Sequence, residues 1–159
     1  MMDLRRIRQR TETGLALARL IPAYVAFGLL KHVVPIASLA RFAWRETMVA
    51  QREDSQVRAV ARVVKVRTLL RRWDRDCVQT SLLMYRELSR VGADPMLAIG
   101  FRRSKKRLEG HAWVIVGGVA VADTAPSNAE FTPACFFGRC GAVARVRPLT
   151  DSSGSAWQE

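Results

Sequence analysis

Residues 76–92 read DCVQTSLLMYRELSRVG, and residues 111–123 read HAWVIVGGVAVAD. In the first stretch Leu82, Tyr85, Leu88 and Val91 recur every three residues, as one face of a helix requires. Asp76, or Asp74 before it, stands where a side-chain oxygen caps the first free N–H groups, which places Cys77 in the first turn. Gly92 supplies the stop, and Pro95 bars continuation. In the second stretch two apolar runs flank Gly117-Gly118, the pattern of a β-hairpin with strands His111–Val116 and Val119–Asp123. Both runs are apolar at successive positions, which predicts burial on both faces. With the short apolar run Met96–Phe101 between them, helix and hairpin predict an α+β domain, a helix packed on a small antiparallel sheet.

Working outward, the chain has 159 residues with a hydrophobic fraction of 49%, enough for one domain with a real core and too apolar for general disorder. Its 26 Lys and Arg against 14 Asp and Glu give a net charge of +12. Most of that excess lies ahead of Cys77. Such a surface attracts nucleic acid, anionic lipid or an acidic peptide, and net charge alone does not choose between them. Three cysteines, an odd number, make no closed disulfide framework and suggest a reduced, cytoplasmic setting. Cys135 and Cys140 have no further ligands in zinc-site spacing, so no metal is expected.

Toward the N-terminus, Leu20–Leu30 is uncharged but ends at Lys31-His32, and a second apolar piece covers Val33–Ala40. Neither is long enough to span a bilayer. Pro22 and Pro35 are expected to interrupt any single long helix, and Lys31-His32 makes a poor signal-peptide cleavage site. Residues 15–42 read as helices packed on the rest of the protein, or as a segment docking on a membrane surface or a partner. A further helix is predicted from Asp54 or Ser55 to about Trp73. Val57, Val60, Ala61, Val63, Val64, Val66, Leu70 and Trp73 form its broad apolar face. Arg58, Arg62, Lys65 and Arg72 line another, either solvated or a stripe for an acidic partner. Arg102–Arg107 reads as a basic loop, Thr124–Ala134 as a Pro- and Asn-containing loop, and Ala142–Arg147 as a last short strand. The organisation expected is a basic, amphipathic helical region at 1–72, a core at 73–149 and a tail at 150–159.

The chemistry of cysteine catalysis needs a thiolate, an imidazole and a group orienting that imidazole. Cys77 at a helix N-terminus has the local N–H groups and dipole that favour a thiolate, although Asp74 and Asp76 oppose it. His111 opens one hairpin strand and Asp123 closes the other, so a hairpin brings those ends together. Asn128 is a rival orienter. A two-residue Gly117-Gly118 loop would pair Val116 with Val119 and send His111 and Asp123 to opposite faces. The triad therefore needs a three-residue loop, Val116-Gly117-Gly118, pairing Ile115 with Val119 and His111 with Asp123, or an equivalent bulge.

Cys77-Val78, Ser81-Leu82, Tyr85, Gly92, Ile99-Gly100, His111-Ala112-Trp113-Val114 and Asp123 together resemble the transglutaminase-like leader peptidases of lasso-peptide biosynthesis, the B2-type maturation proteins. The resemblance covers about Trp73 to Thr132. It implies a transglutaminase/papain-like cysteine protease core preceded by an N-terminal helical region. Cys77 would be the nucleophile, His111 the general base and then acid, and Asp123 the orienting carboxylate. The Cys77 backbone N–H is a generic oxyanion donor. No cofactor is implied for this chain; ATP belongs to a partner cyclase resembling asparagine synthetase. The other implied partners are the precursor's leader peptide and a separate PqqD-like recognition protein, since residues 1–72 read as helices without that domain's strands. Two other functions stand beside this one: an acyltransferase or amidase on the same core, and a non-catalytic basic module for RNA or anionic membrane. The second lacks aromatic residues interleaved with the basic ones, so no specific nucleic acid is expected.

Overall fold

A computed structural model of the chain describes residues 4–46, 53–70, 76–104, 107–121 and 130–145. Among these residues four helices, α1 (Leu4–Leu30), α2 (Ile36–Ala43), α3 (Glu53–Leu69) and α4 (Cys77–Arg90), precede a five-stranded sheet. Its strands are β1 (Pro95–Arg103), β2 (Leu108–Val116), β3 (Val119–Val121), β4 (Thr132–Phe137) and β5 (Val143–Arg145). Their order is β3-β2-β1-β4-β5, every neighbouring pair antiparallel. This is the α+β class expected of a transglutaminase-like core.

The helix that begins with Cys77 is the centre of the molecule. Asp76 caps it, its side chain accepting from the N–H groups of Val78 and Gln79, and Gly92 at φ 79° turns the chain away. Leu82, Leu83, Tyr85 and Leu88 are buried in one cluster with Leu97, Val114 and Phe137 of the sheet. Leu20, Tyr24 and Phe27 of α1, Leu39 and Ala40 of α2, and Ala59, Val63 and Val66 of α3 belong to the same cluster. Fully burying a large apolar side chain contributes about 1.5–3 kcal/mol, so this shared core is what seats the first three helices on α4. The opposite face of the sheet carries a second cluster: Ala98, Trp113, Ile115, Phe131 and Phe136. Tyr85 ties α4 to the far edge of the sheet, donating to the Gly138 carbonyl at 2.5 Å and accepting from Gly141 N–H at 3.2 Å.

Several local expectations are corrected. Pro22 lies inside a continuous α1 and does not interrupt it. A helix-interior proline costs about 3 kcal/mol, and burial of Leu20, Tyr24 and Phe27 on either side offsets that. In α3 only part of the expected apolar face is inward: Val63 and Val66 are buried, whereas Val57 and Val64 are exposed, and Ala59, outside that face, is buried with the first two. Arg62 leaves the supposed charged stripe and turns toward Glu87, a carboxylate with no exposed surface. Arg102 and Arg103 belong to β1, not to a loop. Arg102 is paired with Glu109 and Glu130. Residues from Thr132 belong to β4, which the expected loop Thr124–Ala134 concealed. The hairpin is buried on both faces only along β2, since Val119 and Ala120 of β3 are exposed.

The hairpin register is also corrected. Val116 pairs with Val119 and Val114 with Val121, so Gly117-Gly118 is a two-residue loop. Both glycines have positive φ, 57° and 81°, the backbone a primed turn requires and one that matches the twist of the flanking strands. The three-residue loop is therefore absent, which leaves the triad dependent on an equivalent bulge; residues 114–116 and Val119–Val121 pair regularly without one. Trp73, Arg72, Lys105, Lys106, Asp123, Asn128, and the expected boundaries near 72 and 150, lie outside the described residues.

Candidate active site

The site is built where the N-terminus of α4 meets the edge of β2. In an antiparallel pair, a residue's N–H and C=O point together to one side of the strand. Val114 and Val116 direct theirs to β3, and Ala112, two residues earlier, has the same orientation beyond the end of the β3 ladder. Helix α4 occupies that place. Ser81 donates its hydroxyl to the Ala112 carbonyl at 2.9 Å. The Ala112 N–H in turn stabilises the Cys77 sulfur in its charged form. Cys77 and Ser81 are four residues apart and so share one helix face, which lies along the main chain of the residue after His111.

Burial dominates the electrostatics of Cys77 and raises its pKa above the ordinary 9.0. The Ala112 N–H opposes that shift, the Asp76 carboxylate adds to it, and the N–H groups of Val78 and Cys77 itself oppose it. The resting group is therefore a thiol. The thiolate expected from the helix terminus does not prevail, because desolvation outweighs the surrounding N–H groups. Asp76 is not a bare charge. Lys31, just beyond the end of α1, pairs with its second carboxylate oxygen, the two side chains being 10% and 21% exposed. That ion pair ties α1 to the first turn of α4. So does Gln79, which donates to the Tyr24 carbonyl at 2.6 Å from a fully enclosed position.

His111 lies on the sheet face that carries Trp113, whereas Ala112 faces α4. Its imidazole stacks on Trp113 with ring centroids 5.8 Å apart and 17° between planes. It meets Phe131 at 4.9 Å, and its Nε2 is buried. Gly100 pairs with His111 across β1 and β2. A side chain there would stand 2.8 Å from the Trp113 ring and 2.7 Å from the Thr132 carbonyl, so only glycine lets Trp113 settle beside the histidine. Over Phe131 lies the Arg102 guanidinium, 4.7 Å from the ring centroid. Arg102 donates to Glu109 at 2.7 Å and pairs with Glu130. Its pKa is raised, and that of Glu109 lowered, chiefly by the hydrogen bond they share.

The first turn of the helix that carries the expected nucleophile and the strand of the expected base are thus side by side, at Ala112, the residue that directly follows His111. Asp123 and Asn128 lie outside the described residues. Cys135 sits on β4 with its pKa raised by burial, and Cys140 is exposed on a 3-10 turn, Arg139–Gly141, at φ 53°. Among the described residues no group of three His, Cys, Asp or Glu side chains is placed to hold a metal ion. Nor is any helix among them long and apolar enough to cross a membrane. Lys31 and Phe131 were not singled out from the sequence. Lys31 had one signal, the cation that ends the uncharged run; Phe131 had none, because it stands in a stretch that reads as loop.

Comparison with known proteins adds one positive finding. The family model described as Transglutaminase-like superfamily matches residues 17–135. No curated protein and no solved structure matches significantly. A transglutaminase-like domain is a fold of the cysteine-protease and acyltransferase type. The matched segment covers well over half of the sequence and takes in both the cysteine helix and the histidine strand, so the chain belongs to the transglutaminase-like superfamily.

Proposed function

We propose that this chain is a cysteine peptidase that removes the leader from a ribosomally made lasso-peptide precursor. The observation that carries the proposal is the seat of the Cys77 helix, within the motif pair that resembles the B2-type leader peptidases. One turn after Cys77, Ser81 donates to the carbonyl of Ala112, the residue after His111, and the Ala112 N–H favours the charged form of the Cys77 sulfur. His111 takes the thiol proton, and the thiolate attacks the carbonyl of the leader–core peptide bond. The tetrahedral adduct collapses, the core leaves as an amine with the proton His111 held, and the leader remains as a thioester on Cys77. His111 then takes a proton from water, hydroxide attacks the thioester, and the leader departs as a carboxylate while Cys77 regains its proton. Asp123 is the carboxylate that orients the imidazole and stabilises its protonated form, a role that, with the two-residue hairpin loop, requires the equivalent bulge.

Recognition of the leader falls to a separate PqqD-like protein, and ring closure to an asparagine-synthetase-like cyclase that uses ATP; this chain needs no cofactor for hydrolysis. Residues 15–42 are the segment for docking on those partners or on a membrane surface. One face of that segment is buried in the core, while Val25, Leu29 and Val33 point to solvent.

The test is incubation of the precursor with this protein and its recognition partner, followed by mass measurement of the leader. Cys77→Ala is expected to abolish cleavage while the protein still folds, since a thiol and a methyl pack alike. His111→Ala should match that loss, because members of one catalytic unit fail together, and Asp123→Asn should retain more activity. Normal cleavage by Cys77→Ala would refute the peptidase. Leader recovered as an amide, not a carboxylate, would instead identify an acyltransferase.

A further inference from the structure

A general base must hold its ring in one orientation, and a histidine side chain has two torsions to lose. On the second face of the sheet four planar groups follow one another: Arg102, Phe131, His111 and Trp113. Arg102 stands 4.7 Å from the Phe131 centroid. Phe131 is 4.9 Å from the imidazole, and the imidazole is 5.8 Å from the indole. Phe131 is only 9% exposed and belongs to the second core cluster with Trp113. It stands just before β4, whose Thr132 pairs with Phe101 of β1, so its backbone is set by the sheet. Arg102 is fixed from two sides, by Glu109 on β2 and by Glu130 beside Phe131.

We infer that Phe131 is a positioning residue for the His111 imidazole, with Arg102 as its brace. The inference rests on His111 being the base of the proposed peptidase, and it adds a constraint on the ring that is independent of Asp123. Offset contact with an aromatic ring limits rotation of the imidazole, and a guanidinium over the far ring limits motion of the ring that does so. Neither Phe131 nor Arg102 reacts; both act through His111.

The experiment reads Cys77 directly and needs no peptide substrate. The full chain is treated with iodoacetamide at neutral pH, and alkylation of Cys77 is followed by peptide mass mapping, which separates it from Cys135 and Cys140. His111→Ala is expected to slow the reaction. Phe131→Leu should slow it about tenfold, within the range by which lost orientation reduces effective molarity. Phe131→Tyr, which keeps the ring, should stay within about twofold, and Arg102→Gln should fall between. In wild-type protein the His111 imidazole protons should show ring-current shifts and nuclear Overhauser contacts with Phe131, and the shift should shrink in Phe131→Leu and persist in Phe131→Tyr. Absence of those contacts in the wild type overturns the inference whatever the variants do. So does Phe131→Leu alkylating at the wild-type rate while His111→Ala is slow. If His111→Ala is also as fast as wild type, the thiol–imidazole pair itself is wrong. If the alkylation pattern holds but no leader is released from a precursor, the inference stands and the leader-peptidase proposal falls.

Discussion

Replacing Asp76 separates two jobs performed by one carboxylate. One oxygen caps α4, accepting from Val78 N–H at 2.8 Å and Gln79 N–H at 3.4 Å. The other pairs with Lys31, and the charge on the group raises the Cys77 pKa. Asparagine caps a helix about as well as aspartate, so Asp76→Asn keeps the first job and loses the second. Alanine loses both. The lost ion pair is partly buried and costs about 1–2 kcal/mol, more than an exposed pair and less than a fully buried one. The lost cap costs about 1 kcal/mol more. A chain of this size loses roughly 2–4 °C of Tm per kcal/mol, so Asp76→Asn should melt about 2–8 °C low and Asp76→Ala about 4–12 °C low.

The effect on chemistry runs the other way. The thiolate is the charged form, and Asp76→Asn removes a neighbouring negative charge while leaving the Lys31 cation, so the Cys77 pKa should fall. Alkylation of Cys77 by iodoacetamide, followed from neutral to alkaline pH, should rise at lower pH in Asp76→Asn than in wild type, although that variant is the less stable protein. The linkage has a definite sign. The folded value lies above the ordinary 9.0, so the stability it reflects is intact below that pH and is lost as pH rises through the folded value. Asp76→Asn narrows that window. An alkylation profile that stays in place, or moves to higher pH, would refute the electrostatic account. An asparagine variant melting as low as the alanine one would refute the cap.

Glu87 has no exposed surface and is faced by Arg19 at 3.2 Å, Arg90 at 3.6 Å and Arg62 at 3.7 Å. Glu87→Ala leaves three partly exposed guanidiniums around a void, and breaking a buried pair costs about 3–5 kcal/mol, so a Tm loss of about 6–20 °C is expected in calorimetry. Tyr85→Phe removes the hydroxyl that bonds the Gly138 carbonyl and Gly141 N–H, which stay bonded to each other at 3.0 Å, so the loss is about 0.5–1.5 kcal/mol, measurable by denaturant titration. The Tyr85 hydroxyl is pushed up by burial from 10.0 to about 12. Wild-type stability should therefore decline as pH rises from about 10 through about 12, and the phenylalanine variant should lack that component.

The boundaries of α4 are legible because they are local: an aspartate that caps and a glycine with positive φ act within a turn or two of the residues they border. The hairpin is legible for the same reason, and its loop length follows from the conformational preference of the two glycines, not from what a triad needs. Strand β4 was hidden because its pairing is non-local. Pro133, which cannot donate to a ladder, pairs with Gly100, where the register shifts between Ile99 and Gly100. The inward turn of Arg62 could not be read from periodicity, since its cause is a carboxylate on a different helix. The candidate site divides likewise. Cys77 and His111 are visible as residue types in a spacing, whereas Lys31 and Phe131 reach the site only after α1 and β4 have packed.

The division between regular and irregular elements bears on how the site works. Cys77 and Ser81 are held by α4, and Ala112 and His111 by β2, and those two elements share the largest core in the molecule. The distance between sulfur and strand is therefore fixed by the fold and survives loss of any single surface interaction. Orientation of the imidazole is a separate requirement, because His111 belongs to the other face of the sheet and the sulfur sits at its edge. Ring contacts with Phe131 and Trp113 supply one constraint from within the ordered sheet. Asp123, two residues beyond the end of β3, supplies the other in the proposed mechanism. With two constraints on one ring, removing the carboxylate lowers turnover by what it contributes to stabilising the imidazolium, and leaves the ring's orientation partly intact. Loss of Asp123 should therefore be milder than loss of His111, whose removal takes away the proton carrier itself.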